Sequence, residues 1–321
     1  IIERLKAATH RAVFPETGAV YPIDVAIHTD RVRITLDTSG EALNRRGYRT
    51  WNGEAPLRET LAASLVELSP WRPGMRLYDP CCGSGGMFVQ TAHYIEKHKA
   101  QGKQMNLRAY GVEKTGATVR LAKMNLALRG ISHNLGGESD STFTHDLHKG
   151  LYFDYIMANP PFNLKGWYDD NQKNDSRWAD YQTPPESNAN YAWILHILSH
   201  LKALKGVAGF LLSNGALGDS DTLEIRKKLI QNDKVEAIII LPRELFITTD
   251  ISVTLWILNQ NKKGGEYHGR ILRNREKELL FMDLRTWTEN PVKNESKKKV
   301  LLSSEQIQKA ADIYHTWQSE G

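Results

Sequence analysis

The chain has 321 residues, 42 Lys and Arg against 37 Asp and Glu, a formal net charge of +5, and 40% hydrophobic residues. That length buries one large core with room for a small appended domain. No run reaches the ~20 apolar residues of a membrane span, and no signal peptide is visible. A soluble enzyme is expected, with no membrane association. The only cysteines, Cys81 and Cys82, are adjacent, which excludes a disulfide framework and fits a reducing cytoplasm. The chain opens Ile1-Ile2-Glu3 without an initiator Met, so residues are expected to precede it.

Residues 21–27 and 31–37 alternate apolar and polar around His28-Thr29-Asp30, which predicts a β-hairpin. Leu57, Leu61, Leu65 and Leu68 are at helical spacing, with Pro56 in the first turn of a helix over 56–68. Strands are predicted at 76–78, 107–112, weakly at 141–144, then at 153–157, 207–212, 235–241 and 253–258. Helices intervene at 87–99, 117–129, 190–204 and 223–231. This alternation argues for an α/β fold, a seven-stranded, mostly parallel sheet with helices on both faces. The expected divisions are an N-terminal hairpin and linker over 1–54, a catalytic domain over 55–260, and a basic C-terminal extension over 261–321.

Two segments carry the chemistry. The first is Asp79-Pro80-Cys81-Cys82-Gly83-Ser84-Gly85-Gly86-Met87-Phe88, between a strand and a helix. Open α/β sheets hold nucleotides at such a loop, and Gly83 and Gly85 let the backbone approach a ligand. Asp79 is a candidate for holding water or the amino group of a bound amino acid. Phe88 stands where a dinucleotide fingerprint needs its third glycine, so a dehydrogenase is excluded. Glu113, ending the next strand, is placed to accept both hydroxyls of a ribose. Cys81 lies inside the loop on the cofactor side, not as a nucleophile.

The second segment is Asn159-Pro160-Pro161-Phe162, at the end of the apolar run 153–158. It suits methylation of an exocyclic amine on a flat base. The Asn159 side-chain carbonyl and the Pro160 carbonyl can accept the two N–H bonds of that amine. Pro160 and Pro161 hold the turn rigid, and Phe162 offers a face for stacking. Neither the cysteine pair nor His145 and His148 around Asp146 makes a metal site, so none is expected.

Between residues 261 and 300 there are eleven Lys and Arg against six Asp and Glu, a surplus equal to the whole net charge. Lys262, Lys263, Arg270, Arg273, Arg275 and Lys297 to Lys299 can be read as phosphate contacts or as a solvated face. Arg45-Arg46-Gly47-Tyr48-Arg49 is a second basic candidate. The long polar stretch 163–189 directly follows Phe162, and a loop this long is functional or disordered. Its Trp167, Tyr168, Trp178 and Tyr181 could stack on unpaired bases or pack on one another. Tyr191 and Trp193 are read as helix core, and Asn214 as a sheet-end residue able to line the site.

From about residue 78 onward the chain resembles the modification subunits of type I restriction-modification systems. The resemblance rests on the Asp79–Phe88 motif, on Leu121-Ala122-Lys123-Met124-Asn125-Leu126, and on Met157-Ala158-Asn159-Pro160-Pro161-Phe162-Asn163. Thr183-Pro184-Pro185, Asn188-Ala189-Asn190-Tyr191-Ala192-Trp193 and Ser213-Asn214-Gly215 extend it. It implies a class I S-adenosylmethionine-dependent methyltransferase fold with an antiparallel last strand, and transfer of methyl from that cofactor to adenine N6 in DNA. By the likeness Asp79, Cys81, Gly83, Gly85 and Glu113 hold the cofactor. Asp146 contacts its adenine, and Pro56 stands in a segment beside it. Asn159, Pro160, Pro161 and Phe162 hold the flipped base. A specificity subunit, with or without a restriction subunit, is the implied partner.

The first quarter differs. Leu36-Asp37-Thr38-Ser39-Gly40 through Arg49, and Gly53-Glu54-Ala55-Pro56-Leu57 through Ala62, resemble RNA guanine-N2 methyltransferases that follow a THUMP-type RNA-binding domain. Structured RNA is therefore the alternative substrate, and the two likenesses meet near residues 70 to 80. A non-enzymatic cofactor-binding scaffold is the third reading; the filled catalytic positions argue against it.

Overall fold

The computed structural model describes residues 23–28, 31–36, 75–97, 107–245, 251–267, 270–287 and 302–320. The expected helix over 56–68 with its Pro56, the Arg45–Arg49 run, and Lys297 to Lys299 lie outside them. The chain divides into two units, Ile1–Tyr48 and Arg49–Gly321. In the first, β1 (Ile23–His28) and β2 (Arg31–Leu36) pair antiparallel, Ile23 opposite Leu36 and His28 opposite Arg31. That is the predicted hairpin.

The second unit is built on an eight-stranded sheet. In chain order it comprises β3 (Arg76–Asp79), α1 (Gly86–Lys97), β4 (Arg108–Gly111), α2 (Gly116–Ala127), β5 (Ser132–Asn134) and β6 (Tyr155–Ala158). Then come α3 (Asn190–His200), β7 (Val207–Ser213), α4 (Leu223–Gln231), β8 (Val235–Ile240) and β9 (Val253–Asn259). A short antiparallel pair, β10 (Gly265–Tyr267) and β11 (Arg270–Leu272), precedes β12 (Leu280–Asp283) and α5 (Ser304–Ser319). Across the sheet the order is β12-β8-β9-β7-β6-β3-β4-β5. Only β9 runs against its neighbours, between β7 and β8.

Every residue of β6, β7 and β9 is buried, as strands covered on both faces must be. Helix α3 is buried on all sides except at Ser199. Its Trp193, Ile194 and Ile197 join Tyr78, Phe153, Ile156 and Phe210 in the main core. Each such side chain stabilises the fold by about 1.5–3 kcal/mol through burial.

Three expectations are corrected. Residues 141–144 form turns rather than a strand, because the Thr142 hydroxyl donates to the Pro80 carbonyl (2.5 Å) and fastens the segment to the glycine loop. β5 and β12, neither among the seven expected strands, supply the sheet's edges instead. The region 261–321 is no separate extension, since β12 pairs in parallel with β8 through Leu280–Ala237 and Asp283–Ile240.

Several cations of that region are also internal. Arg275 and Glu236, both wholly buried, lie 3.1 Å apart. Asn259 Nδ2 and Gln318 Nε2 donate to the same carboxylate at 2.7 and 3.2 Å. Lys262 is buried and donates to Asp233, the Val235 carbonyl and the Glu278 carbonyl. Arg273 is paired with Glu278 at 2.6 Å. Arg275 and Lys262 serve the fold and are not available to phosphates, whereas the Arg273 pair is partly exposed.

Candidate functional site

Because β3, β4 and β6 are parallel neighbours, their carboxyl ends open onto one edge of the sheet. The glycine loop, Glu113 and Asn159 all leave from that edge.

β3 ends in Asp79, whose Oδ1 accepts from the Cys81 N–H at 3.0 Å and turns the chain. The loop is then stitched to β4: Val112 N–H donates to the Asp79 carbonyl (3.2 Å) and Cys82 N–H to the Val112 carbonyl (2.9 Å). Gly83 and Gly85 have φ of +54° and +83°, the left-handed region where a side chain costs energy. α1 starts directly behind, leaving its first N–H groups near the loop. Asp79 is 2% exposed. Burial pushes its pKa up to about 7, against the downward pull of the Cys81 N–H and thiol. Burial likewise raises the Cys81 and Cys82 thiols well above their ordinary values. Cys81 is half-buried, its Sγ 3.5 Å from Asp79 Oδ1. No activated thiolate exists here.

Glu113 follows β4 and is half-buried. Its Oε1 accepts from Thr115 N–H at 2.8 Å, so the turn holds one carboxylate oxygen. Its carbonyl accepts from Asp140 N–H at 2.9 Å. Asp140 thereby sits at the same sheet edge. It is a carboxylate that sequence reading missed, since nothing in a loop pattern reports a contact across 27 residues.

Asp146 points elsewhere. Its Oδ2 lies 3.1 Å from His200 Nε2, and its Oδ1 accepts from His148 N–H at 3.2 Å. Burial raises the Asp146 pKa, but His200, Arg177 and the His148 N–H outweigh it and hold the carboxyl below its ordinary value. Asp146 thus belongs to a buried group with Tyr78, His148, His196 and His200, whose rings pack on one another. α3 thus supplies a His that draws the residue expected at a cofactor's adenine, Asp146, into this group.

Ligand atoms of Asp146, His196 and His200 lie within 4.8 Å of one another. However, both nitrogens of His196 are engaged, Nε2 with Tyr78 Oη (2.9 Å) and Nδ1 with Arg177 Nη1 (3.1 Å). Its ring lies 4.4 Å from that of His200 at a 34° tilt. His145 bonds Asp140, and His148 Nε2 lies 3.2 Å from the Gly111 carbonyl.

At the end of β6, Asn159 Oδ1 is buried and has no hydrogen-bond partner. Leaving an amide oxygen in that condition costs about 1–3 kcal/mol, a cost that a ligand donor would remove. Pro160 is buried, Pro161 exposed and Phe162 half-buried. Asn163, at φ +53°, clamps the turn. Its N–H donates to Asn190 Oδ1 (3.0 Å), while its own Oδ1 accepts from Asn190 Nδ2 (2.7 Å) and Ser213 Oγ (3.3 Å). The first residue of α3 thus holds the Asn-Pro-Pro-Phe turn. Asn214, beyond β7, is held by Thr254 and Ser252.

The segment 163–189 is ordered by its own aromatics. Trp167 and Trp178 are buried and donate to the Pro185 carbonyl (3.2 Å) and the Gln172 carbonyl (2.8 Å). They pack edge to face, 6.0 Å apart. Of the two readings for these rings, packing holds for both tryptophans. Tyr168 and Tyr181 remain half-buried, the Tyr181 hydroxyl accepting from Asn232 Nδ2 at 3.2 Å. Tyr191 and Trp193 are core, as expected.

Comparison with known proteins matches residues 58–321 to the N-6 DNA methylase family. The chain belongs to that family. The match begins well before residue 78 and runs across residues 70 to 80, where the two sequence resemblances were expected to meet. The HindI methylase subunit of a type I restriction enzyme from Haemophilus influenzae is 40% identical over 265 residues, 81% of this chain and 55% of that protein. This family member thus spans about half the length of such relatives. A shorter likeness, 45% over 94 residues, links 29% of the chain to 24% of Bacillus subtilis YpsC, whose name marks it as a candidate RNA methyltransferase. Among solved structures, the methyltransferase subunit of a type I restriction-modification system from Streptococcus thermophilus matches with a TM-score of 0.67 at 23% identity. That match covers 86% of this chain and 56% of that one. The fold is that of class I S-adenosylmethionine-dependent methyltransferases, as expected. Among the described residues no helix is long and apolar enough to cross a membrane.

Proposed function

We propose that the chain is the catalytic part of an adenine-N6 DNA methyltransferase, the modification subunit of a type I restriction-modification system, acting with S-adenosylmethionine. The observation that carries this is the unpartnered, buried Asn159 Oδ1, one strand away from the Asp79 glycine loop.

The residues at hand fit the cofactor. Asp79 is a buried acceptor suited to an ammonium group. Glu113 keeps one carboxylate oxygen free of the turn that uses the other. Asp140, beside Glu113, joins Asp146 as a candidate to meet an exocyclic amine of the cofactor's base. When bound, the cofactor supplies an electrophilic methyl group. Asn159 Oδ1 and the Pro160 carbonyl accept the two N–H bonds of a base taken out of its stack, while Phe162 packs against its ring. These dipoles are aimed where positive charge develops on nitrogen, so catalysis is positioning plus preorganised electrostatics. No strong general base is required, since the amine proton becomes acidic once the methyl arrives.

The partners in this reading are DNA and a specificity subunit, with or without a restriction subunit. The isolated chain should bind duplex DNA weakly and without sequence preference. Adding a specificity subunit should give adenine methylation at one split site. Sequence-specific methylation by the chain alone would contradict that division of labour. Structured RNA with guanine-N2 transfer is the second reading. It rests on the residue 36–62 motifs and the YpsC likeness, and it shares the cofactor and the amine-attack chemistry.

A further inference from the structure

Arg177 lies in the segment that follows the Asn-Pro-Pro-Phe turn, yet it is almost wholly buried. All its N–H groups are used. Nη1 donates to the Thr142 carbonyl (2.7 Å) and His196 Nδ1 (3.1 Å), and Nη2 to the Phe143 carbonyl (2.7 Å) and Asp175 Oδ2 (2.6 Å). Nε donates to both Asp175 oxygens, at 3.0 and 3.1 Å. The guanidinium also sits over the Trp178 ring at 5.0 Å. A planar fork with five donors can meet this set, and a lysine cannot.

Two chains of contacts leave Arg177 and converge on Asp79. In one, Thr142 donates its hydroxyl to the Pro80 carbonyl, the residue after Asp79. In the other, His196 accepts from Arg177 at Nδ1 and so carries its proton on Nε2, which faces the Tyr78 hydroxyl. Tyr78 is the residue before Asp79. Burial keeps His196 neutral, as this tautomer requires, and keeps Tyr78 protonated. The loop that would hold the cofactor is therefore linked on both sides, through Thr142 and through His196 and Tyr78, to one side chain from the segment adjoining the base site.

We infer that Arg177 is a positioning residue that couples residues 164–189 to occupancy of the glycine loop, so that cofactor and target base are held in register. This rests on the cofactor reading above. Coupling of this kind is reciprocal: a ligand on the loop steadies the segment, and a base under the segment steadies the loop.

Hydrogen exchange of the full chain with and without S-adenosylhomocysteine tests it. In the unaltered protein, the ligand should slow exchange in residues 80–85 and, by at least about threefold, in residues 164–189. In Arg177→Lys, protection of 80–85 should persist while the change in 164–189 is lost. Asp175→Asn, which keeps the arginine but loosens its orientation, should weaken the response of 164–189 in the same direction. It serves as the test if Arg177→Lys does not fold. A wild-type response in either folded variant would overturn the coupling. So would protection of 80–85 alone in the unaltered protein. Absence of any binding would overturn the cofactor reading, and the coupling with it.

Discussion

Asp79 is a buried carboxyl with a pKa of about 7, held there by desolvation. If it receives the ammonium group of the cofactor, binding needs the carboxylate and must expel a proton. At about pH 8.5 nearly every Asp79 is ionised, whereas at about pH 5.5 only about 3% are, given a pKa near 7. Affinity for S-adenosylhomocysteine should then fall about thirtyfold between those values, about 2 kcal/mol. Near pH 7 each binding event should release about half a proton, visible as a dependence of the calorimetric enthalpy on the buffer's ionisation heat. Stability of the free chain should move the opposite way. A folded pKa raised above the unfolded value stabilises the protonated form, and that contribution is lost as pH rises through about 7. From about pH 8 down to pH 6 the free chain should gain on the order of 1 kcal/mol from this group. Asp79→Asn should flatten both profiles, while Glu113→Gln should lower affinity yet keep the pH dependence. The thiols of Cys81 and Cys82, raised by burial, do not titrate in this window. Affinity independent of pH in the unaltered protein would show that Asp79 does not hold a cationic group.

Asn159→Ala should leave S-adenosylhomocysteine affinity within about twofold while methyl transfer falls at least about a hundredfold, the scale for one lost preorganised partner. Near-normal turnover would assign the amine to another residue. Arg275→Ala should destabilise the chain by about 3–5 kcal/mol in urea unfolding, because Glu236 is left charged and buried. The double change Arg275→Met with Glu236→Leu should cost less than that single one. A loss below about 1 kcal/mol for Arg275→Ala would mean the pair is not shielded from water as described.

What could be read from the sequence follows from how local the signal is. The turn at Asp79 is set by its own side chain and the next N–H groups. The Asn-Pro-Pro-Phe turn is set by two prolines after an apolar strand. Both were visible, as were β7, β8 and β9 with their continuous apolar runs. The pairing of Asp146 had no local signal, because its partner, His200, comes from a helix more than fifty residues away. Asp140 was missed because a backbone bond to Glu113 leaves no pattern. β12 has an exposed Phe281 and sits among charges, so periodicity could not mark it as a sheet edge. Lys262 and Arg275 read as a surface, since nothing near them in sequence tells of Asp233 and Glu236. Trp167 and Trp178 left two readings open until their N–H partners and mutual packing were seen.

Asn159 is proposed to hold an exocyclic adenine amine in DNA for methylation. The most direct measurement is mass spectrometry of nucleosides after the full chain, with a specificity subunit, acts on mixed duplex DNA and structured RNA with isotopically labelled S-adenosylmethionine. Labelled N6-methyladenine from the DNA, lost in Asn159→Ala, is the predicted result. Labelled N2-methylguanosine from the RNA with no N6-methyladenine would contradict it.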